Sequence, residues 1–179
     1  MMRRYALTAI GRDRPGIVAA VTKALYEHDC NIEDSSMTIL EDEFAMILIM
    51  SMSGAESPDA LLREIKKTEK EMGLTIHLKE IDKEPAPRGG QSNYIITLHG
   101  GDRAGIVYRT ASLLSKLGVN ITDLETTVTG GADKVYIMVI EVFVPDSVDV
   151  KELEKEFKSL GETLGVTIKI KPLEFYEPL

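Results

Sequence analysis

Asp13-Arg14-Pro15-Gly16-Ile17-Val18 decides the reading, because it returns as Asp102-Arg103-Ala104-Gly105-Ile106-Val107. The offset is 102 − 13 = 89, and it carries Leu25 onto Leu114, Asn31-Ile32 onto Asn120-Ile121 and Asp34 onto Asp123. Farther along, Gly73-Leu74-Thr75-Ile76 matches Gly165-Val166-Thr167-Ile168 at an offset of 165 − 73 = 92, so three residues were added between these blocks. A repeat of this length means two copies of one structural unit, and 179 residues accommodate two small domains.

Outward from the turn, each copy follows one pattern. Tyr5 to Ile10 reads as a strand ended by Gly11. Pro15 suits the first turn of a helix, where its missing N–H costs nothing. Ile17, Val18, Val21, Ala24 and Leu25 then fall on one helical face, as do Ile106, Val107, Thr110, Leu113, Leu114 and Leu117. Strands are expected over 32–40 and 121–129, hairpin turns at Glu41-Asp42-Glu43 and Gly130-Gly131-Ala132-Asp133, and third strands over 44–52 and 134–144. Second helices are expected over 57–72 and 148–164, and last strands over 74–81 and 166–173.

The order β-α-β-β-α-β, twice, predicts an α+β fold: two tandem ferredoxin-like βαββαβ units, each an antiparallel four-stranded sheet with two helices on one face. The first and third strands should be central. The polar, Pro- and Gly-rich stretch 82–93 reads as a linker between a first domain, 1–81, and a second, 94–179. The third strands, Ala45-Met46-Ile47-Leu48-Ile49-Met50 and Val135-Tyr136-Ile137-Met138-Val139-Ile140, are apolar at nearly every position. A sheet covered on one side alternates, so this run predicts that both faces are covered, the second by another sheet.

Composition narrows the function. A formal net charge of −8, with basic residues interleaved among acids as in Lys66-Lys67-Thr68-Glu69-Lys70-Glu71, argues against direct nucleic-acid binding. No apolar run approaches the roughly 20 residues of a membrane span, and six residues between Arg4 and Gly11 are too few for a signal-peptide core. Cys30 is the only cysteine, so no intrachain disulfide forms and a cytoplasmic setting is expected. His28, His77 and His99 lack metal-site spacing, phosphate-loop and dinucleotide fingerprints are missing, and no nucleophile–base pair stands out. No cofactor, metal or catalytic residue is expected.

The turn carries the chemistry. A helix N-terminus presents unpaired N–H groups and partial positive charge, where a small carboxylate settles. Gly16 and Gly105 let a ligand or backbone come close. Asp13 and Asp102 either cap the helix or accept from an ammonium group, Arg14 and Arg103 either join the site or form surface ion pairs, and Asn31 and Asn120 offer amides able to read an amino acid. Recurrence of the whole set is what favours a site. A Val at position 16 should fill the approach path and abolish binding there with limited loss of fold.

The unit with Asp-Arg-Pro-Gly-Ile-Val after its first strand and Asn-Ile-Glu-Asp opening its second resembles the ACT domain. Two tandem copies with nothing attached resemble the glycine cleavage system transcriptional repressor family. The resemblance implies a non-catalytic regulatory protein that binds a small ligand, an amino acid, at domain or subunit interfaces, works through a protein partner and forms homo-oligomers. A detached regulatory subunit of an amino-acid or folate enzyme fits the same residues. Carried over by position, the ligand-contacting residues are Gly11, Asp13, Arg14, Gly16, Ile17 and Asn31 in the first copy and Gly101, Asp102, Gly105, Ile106 and Asn120 in the second. Ala104 in place of Pro15 is expected to loosen the second turn.

Overall fold

The computed structural model describes residues 3–53, 58–81, 90–129 and 134–173. Residues 82–89 of the expected linker 82–93, the turn at 130–133 and the first residue expected in the second helix, Ser57, lie outside the described residues. The chain divides into two compact units at residues 85 and 86.

Unit 1 runs β1 (Arg3–Arg12), α1 (Ile17–Tyr26), β2 (Cys30–Leu40), β3 (Glu43–Met52), α2 (Pro58–Met72) and β4 (Leu74–Ile81). Unit 2 repeats this as β5 (Tyr94–Gly100), α3 (Ile106–Lys116), β6 (Asn120–Val128), β7 (Tyr136–Phe143), α4 (Val150–Leu164) and β8 (Val166–Pro172). The sheets have the orders β2-β3-β1-β4 and β6-β7-β5-β8, all pairs antiparallel. The first and third strands of each unit are therefore central. The three extra residues fall in the β6–β7 hairpin, since Asp34 to Phe44 spans 44 − 34 = 10 positions and Asp123 to Tyr136 spans 136 − 123 = 13.

Periodicity explains the packing. Ile17, Val21, Ala24 and Leu25 of α1 and Leu61, Ile65 and Thr68 of α2 are buried over the β1–β3 side chains Tyr5, Leu7, Phe44, Leu48 and Met50. In unit 2, Ile106, Leu114, Leu153 and Phe157 cover Ile96, Leu98, Met138 and Ile140. Each such side chain contributes about 1.5 to 3 kcal/mol. The second helices end at Gly73 and Gly165, at φ 67 and 68, where a left-handed residue turns the chain into the last strand. Asp149 caps α4 by accepting from the Lys151 amide at 2.9 Å.

Three expectations change. The first helices start at Ile17 and Ile106, so Pro15 precedes the helix instead of occupying its first turn. Val18 and Val107 sit beside the buried stripe and are 41% and 39% exposed, because a helix of ten or eleven residues lying on a sheet buries only its central face. The third strand does alternate: Phe44, Met46, Leu48 and Met50 are buried under the helices, whereas Ile47 and its β1 partner-face neighbour Ile10 are 45% and 52% exposed. Both faces are apolar in sequence, but the unit's own elements cover only one.

Candidate functional site

The β1–α1 turn is built from glycine conformation. Gly16 and Gly105 are the N-cap residues of α1 and α3, at φ 97 and 92, a left-handed geometry that costs other residues steric strain. A Cβ at Gly16 would meet only Met72 Cε at 3.9 Å, and one at Gly105 would meet nothing within 4 Å. These glycines are thus required by their φ, not by close approach. The backbone at the two glycines is alike, with Ala104 preceding one and Pro15 the other.

Neither helix has a side-chain cap, so Asp13 and Asp102 do not cap it. Asp13 instead gives its amide to the Asp42 carbonyl at 2.7 Å, tying the turn to the β2–β3 hairpin. Gly16 O and Gly105 O accept from Ala20 N and Arg109 N, at 2.8 and 2.9 Å. The first-turn amides beyond Gly16 and Gly105 precede the first helical acceptor and have no side-chain cap, the arrangement that receives an anion.

The remaining candidates divide. Ile17 and Ile106 are each 2% exposed and belong to the core, so only their main chain is available. Gly11 is a packing glycine: a Cβ there would lie 2.9 Å from both Gly73 O and Leu74 Cδ2. Gly101 sits in open space and its Cβ would touch nothing within 4 Å. Arg14 is engaged structurally. Its Nη2 donates to Glu71 O at 2.8 Å and lies 3.5 Å from Met72 Sδ, so it closes the C-terminal end of α2, where carbonyls and helix dipole both favour a cation. Arg103 does the same for α4, donating to Leu164 O at 3.4 Å. The arginine of the repeated motif clamps the turn onto the second helix, a role the sequence did not reveal because its partner is a backbone group 57 positions away.

Asn31 and Asn120 are not beside the turn of their own unit. Asn31 pairs with Ser51, which pairs with Arg4 at the start of β1, whereas Gly11 pairs with Phe44 at its far end. Seven strand residues from Arg4 to Gly11, at ~3.3 Å each, separate them by roughly 23 Å. Asn120 pairs with Phe143 and Gly100 with Tyr136, the same separation of ends. Asn31 lines a shallow cleft of about 570 Å³ with Tyr26, Cys30 and Ile32. A register shift follows at Ile32/Asp34 and again at Ile121/Asp123, an equivalent bulge in both units.

One group missed from sequence is Tyr136, opposite Gly100 at the second turn. Burial pushes its phenol above the ordinary value, the negative charge of Asp102 adds to the rise, and a hydrogen bond with Thr126 opposes it. Among the described residues, no group of three His, Cys, Asp or Glu side chains could hold a metal ion, and no helix is long and apolar enough to cross a membrane.

The ACT domain family model matches residues 5–79 and 92–171. The chain is 29% identical over 164 residues to the glycine cleavage system transcriptional repressor of Escherichia coli, covering 89% of this chain and 84% of that one. It is 43% identical over 82 residues to a UPF0237 protein of Methanopyrus kandleri, covering 45% of this chain and 91% of that one. A crystal structure of an unknown protein from Galdieria sulphuraria superposes with a TM-score of 0.80 at 25% identity, over 97% of this chain and 100% of the other.

Proposed function

Since the chain belongs to the ACT-domain family and carries that domain twice, we propose that it is a regulatory protein that binds a free amino acid and passes its occupancy to a protein partner. The observation that carries the reading is the relation to the Escherichia coli repressor along 89% of this chain, both units included. The duplicated turn supports it: two helices begin with uncapped amides behind a left-handed glycine, a setting for a carboxylate.

The geometry shapes the proposal. Because turn and asparagine lie at opposite ends of one sheet, a ligand held by both would take the turn from one protomer and the asparagine from another. A homo-oligomer is therefore part of the reading. Ligand binding at such a junction would stabilise one packing over another, and a coupling of about 1 to 3 kcal/mol would change partner affinity.

Calorimetric titration of the full chain against the proteinogenic amino acids tests this. Saturable heat for at least one, lost together with the chemical-shift response of the Ile17 and Val18 amides in Asn31→Ala, is the expected result. No heat and no thermal shift with any of them would overturn the sensor reading.

A further inference from the structure

The two units differ at one point where α2 and α4 meet the sheet edge. In unit 1 the Glu69 carboxylate is held between two donors: Lys66 Nζ at 2.8 Å from Oε2, and the Ile76 amide at 3.0 Å from Oε1. β4 is an edge strand, and Ile76 is opposite Ala9 with its N–H turned away from β1, so the carboxylate satisfies an edge amide.

The 92-residue offset of this region carries Lys66 onto Lys158, Ile76 onto Ile168 and Glu69 onto Gly161. Unit 2 keeps both donors and lacks the acceptor. Ile168 is opposite Leu98 on the edge strand β8, the same register as Ile76 opposite Ala9, so its N–H also points outward. Alongside Gly161, unit 2 has a cleft of about 420 Å³ whose lining includes Phe157, Lys158, Gly161, Glu162, Thr167 and Ile168. Among the described residues, neither Lys158 nor Glu162 has an ion pair or a side-chain hydrogen bond. Glu162 stands where unit 1 has Lys70, so a negative group has been brought next to the retained cation. Gly161 also lets α4 sit close to β8, since a Cβ there would be 2.7 Å from Val166 O. Packing explains the glycine alone. It does not explain the retained lysine, the acquired acid and the open cleft together.

We propose that the cleft between α4 and β8 is a binding site for a small zwitterionic amino acid. Its carboxylate takes the role that the Glu69 carboxylate has in unit 1, meeting the Lys158 ammonium and the Ile168 N–H from the cleft, and its ammonium group faces Glu162. The site is separate from the turn amides and stands whether or not those bind. It borders the second turn, because Gly165 lines the cleft and a Cβ on it would lie 3.3 Å from the Arg103 guanidinium.

The test is amide-resolved NMR of the full chain titrated at constant ionic strength with glycine, sodium acetate and glycinamide. Glycine should shift the Ile168 and Gly161 amides saturably, acetate should do so more weakly, and glycinamide, which lacks the carboxylate, should not. Lys158→Gln should weaken glycine at least five-fold, and Glu162→Gln should weaken glycine while leaving acetate unchanged. Glu69→Gly should open the same response at Ile76 in unit 1, where the wild type shows none. The proposal is overturned if Ile168 responds to neither glycine nor acetate, or responds equally in Lys158→Gln. An acetate response with no effect of Glu162→Gln on glycine would overturn the ammonium assignment. Shifts confined to Ile17, Val18 and Asn31 would favour the turn site and exclude this one.

Discussion

Val21 and Thr110 occupy the same position on equivalent helices and are buried to 1% and 0% exposure, yet only the second carries a hydroxyl, which has no hydrogen-bond partner. Phe44 and Tyr136 likewise match across the sheets, the second again adding a hydroxyl. Glu69 satisfies the edge of unit 1, and Gly161 leaves the edge of unit 2 open. Arg14 reaches its helix end at 2.8 Å and Arg103 at 3.4 Å. Across these pairs the apolar framework is shared and the polar groups differ: the Thr110 hydroxyl has no partner, the Tyr136 hydroxyl reaches Met138 Sδ, and unit 1 has a buried hydroxyl of its own without a partner, at Ser51. Duplicated domains keep their core because burial is what holds each fold together. The polar positions are free to diverge, since each is worth only about a kilocalorie. The clearest difference lies at the sheet edge, where Glu69 satisfies an amide in unit 1 and Gly161 leaves the matching amide of unit 2 beside a cleft.

The strongest challenge to that contrast is a substitution expected to act alike in both units. Gly16→Val and Gly105→Val each force a β-branched residue into the left-handed region and should destabilise their own unit by about 1–3 kcal/mol. Residue-resolved hydrogen exchange on the full chain would measure it. The small loss of fold anticipated for this change from sequence is therefore revised upward, and a binding defect in Gly16→Val counts only if the unit remains folded.

Thr110→Val comes next and should break the symmetry. Removing an orphan hydroxyl from a fully buried site should stabilise unit 2 by about 1 kcal/mol, whereas Val21→Thr should destabilise unit 1 by a similar amount. If Thr110→Val weakens exchange protection in unit 2, the hydroxyl has a use that the structure does not display.

Arg14→Ala should cost about 0.5–1 kcal/mol through loss of the charged cap on α2, with Arg103→Ala smaller because its hydrogen bond is longer. Equal effects in a urea series followed by hydrogen exchange would show that the distances do not rank the two clamps.

The smallest effect is in acid. Hydrogen bonds from Lys66 and then from the Ile76 amide hold the Glu69 carboxyl below its ordinary value of 4.5. Its contribution is therefore complete above the unfolded value and lost as pH falls through the lower, folded one. Glu69→Gln should flatten this acid limb in unit 1, measured as the pH dependence of its exchange protection, and leave unit 2 unchanged. An unchanged limb would mean that the carboxylate does not respond to folding.

The sequence made the architecture legible. The repeat gave the number of units, apolar spacing gave the four helices, and the breaks at glycine and hairpin residues gave the eight strands within two or three residues of their ends. It located the turn, because a motif that recurs intact stands out in one dimension. It did not reveal where several members of the candidate site stand in three dimensions. Ile17 is core, Arg14 clamps a helix, and Asn31 lies at the other end of the sheet. Strand direction and register decide those facts, and proximity along the chain carries no information about which end of a sheet a residue reaches. Likewise, the third strand's apolar run concealed an alternating burial within the unit, since one face is buried by the unit's own helices and the other is apolar without cover from them.

What the amino-acid order determined alone was the pattern of local choices: where helices start, where glycine must take a left-handed turn, and that everything occurs twice. What tertiary structure decided was which polar groups find partners. A Glu seven residues from the amide it satisfies, and a Gly in the matching place of the other unit, are unremarkable letters until antiparallel pairing sets an edge amide beside a helix. Hydrogen bonds are short-range and directional, so their satisfaction depends on three-dimensional register to within a fraction of an ångström.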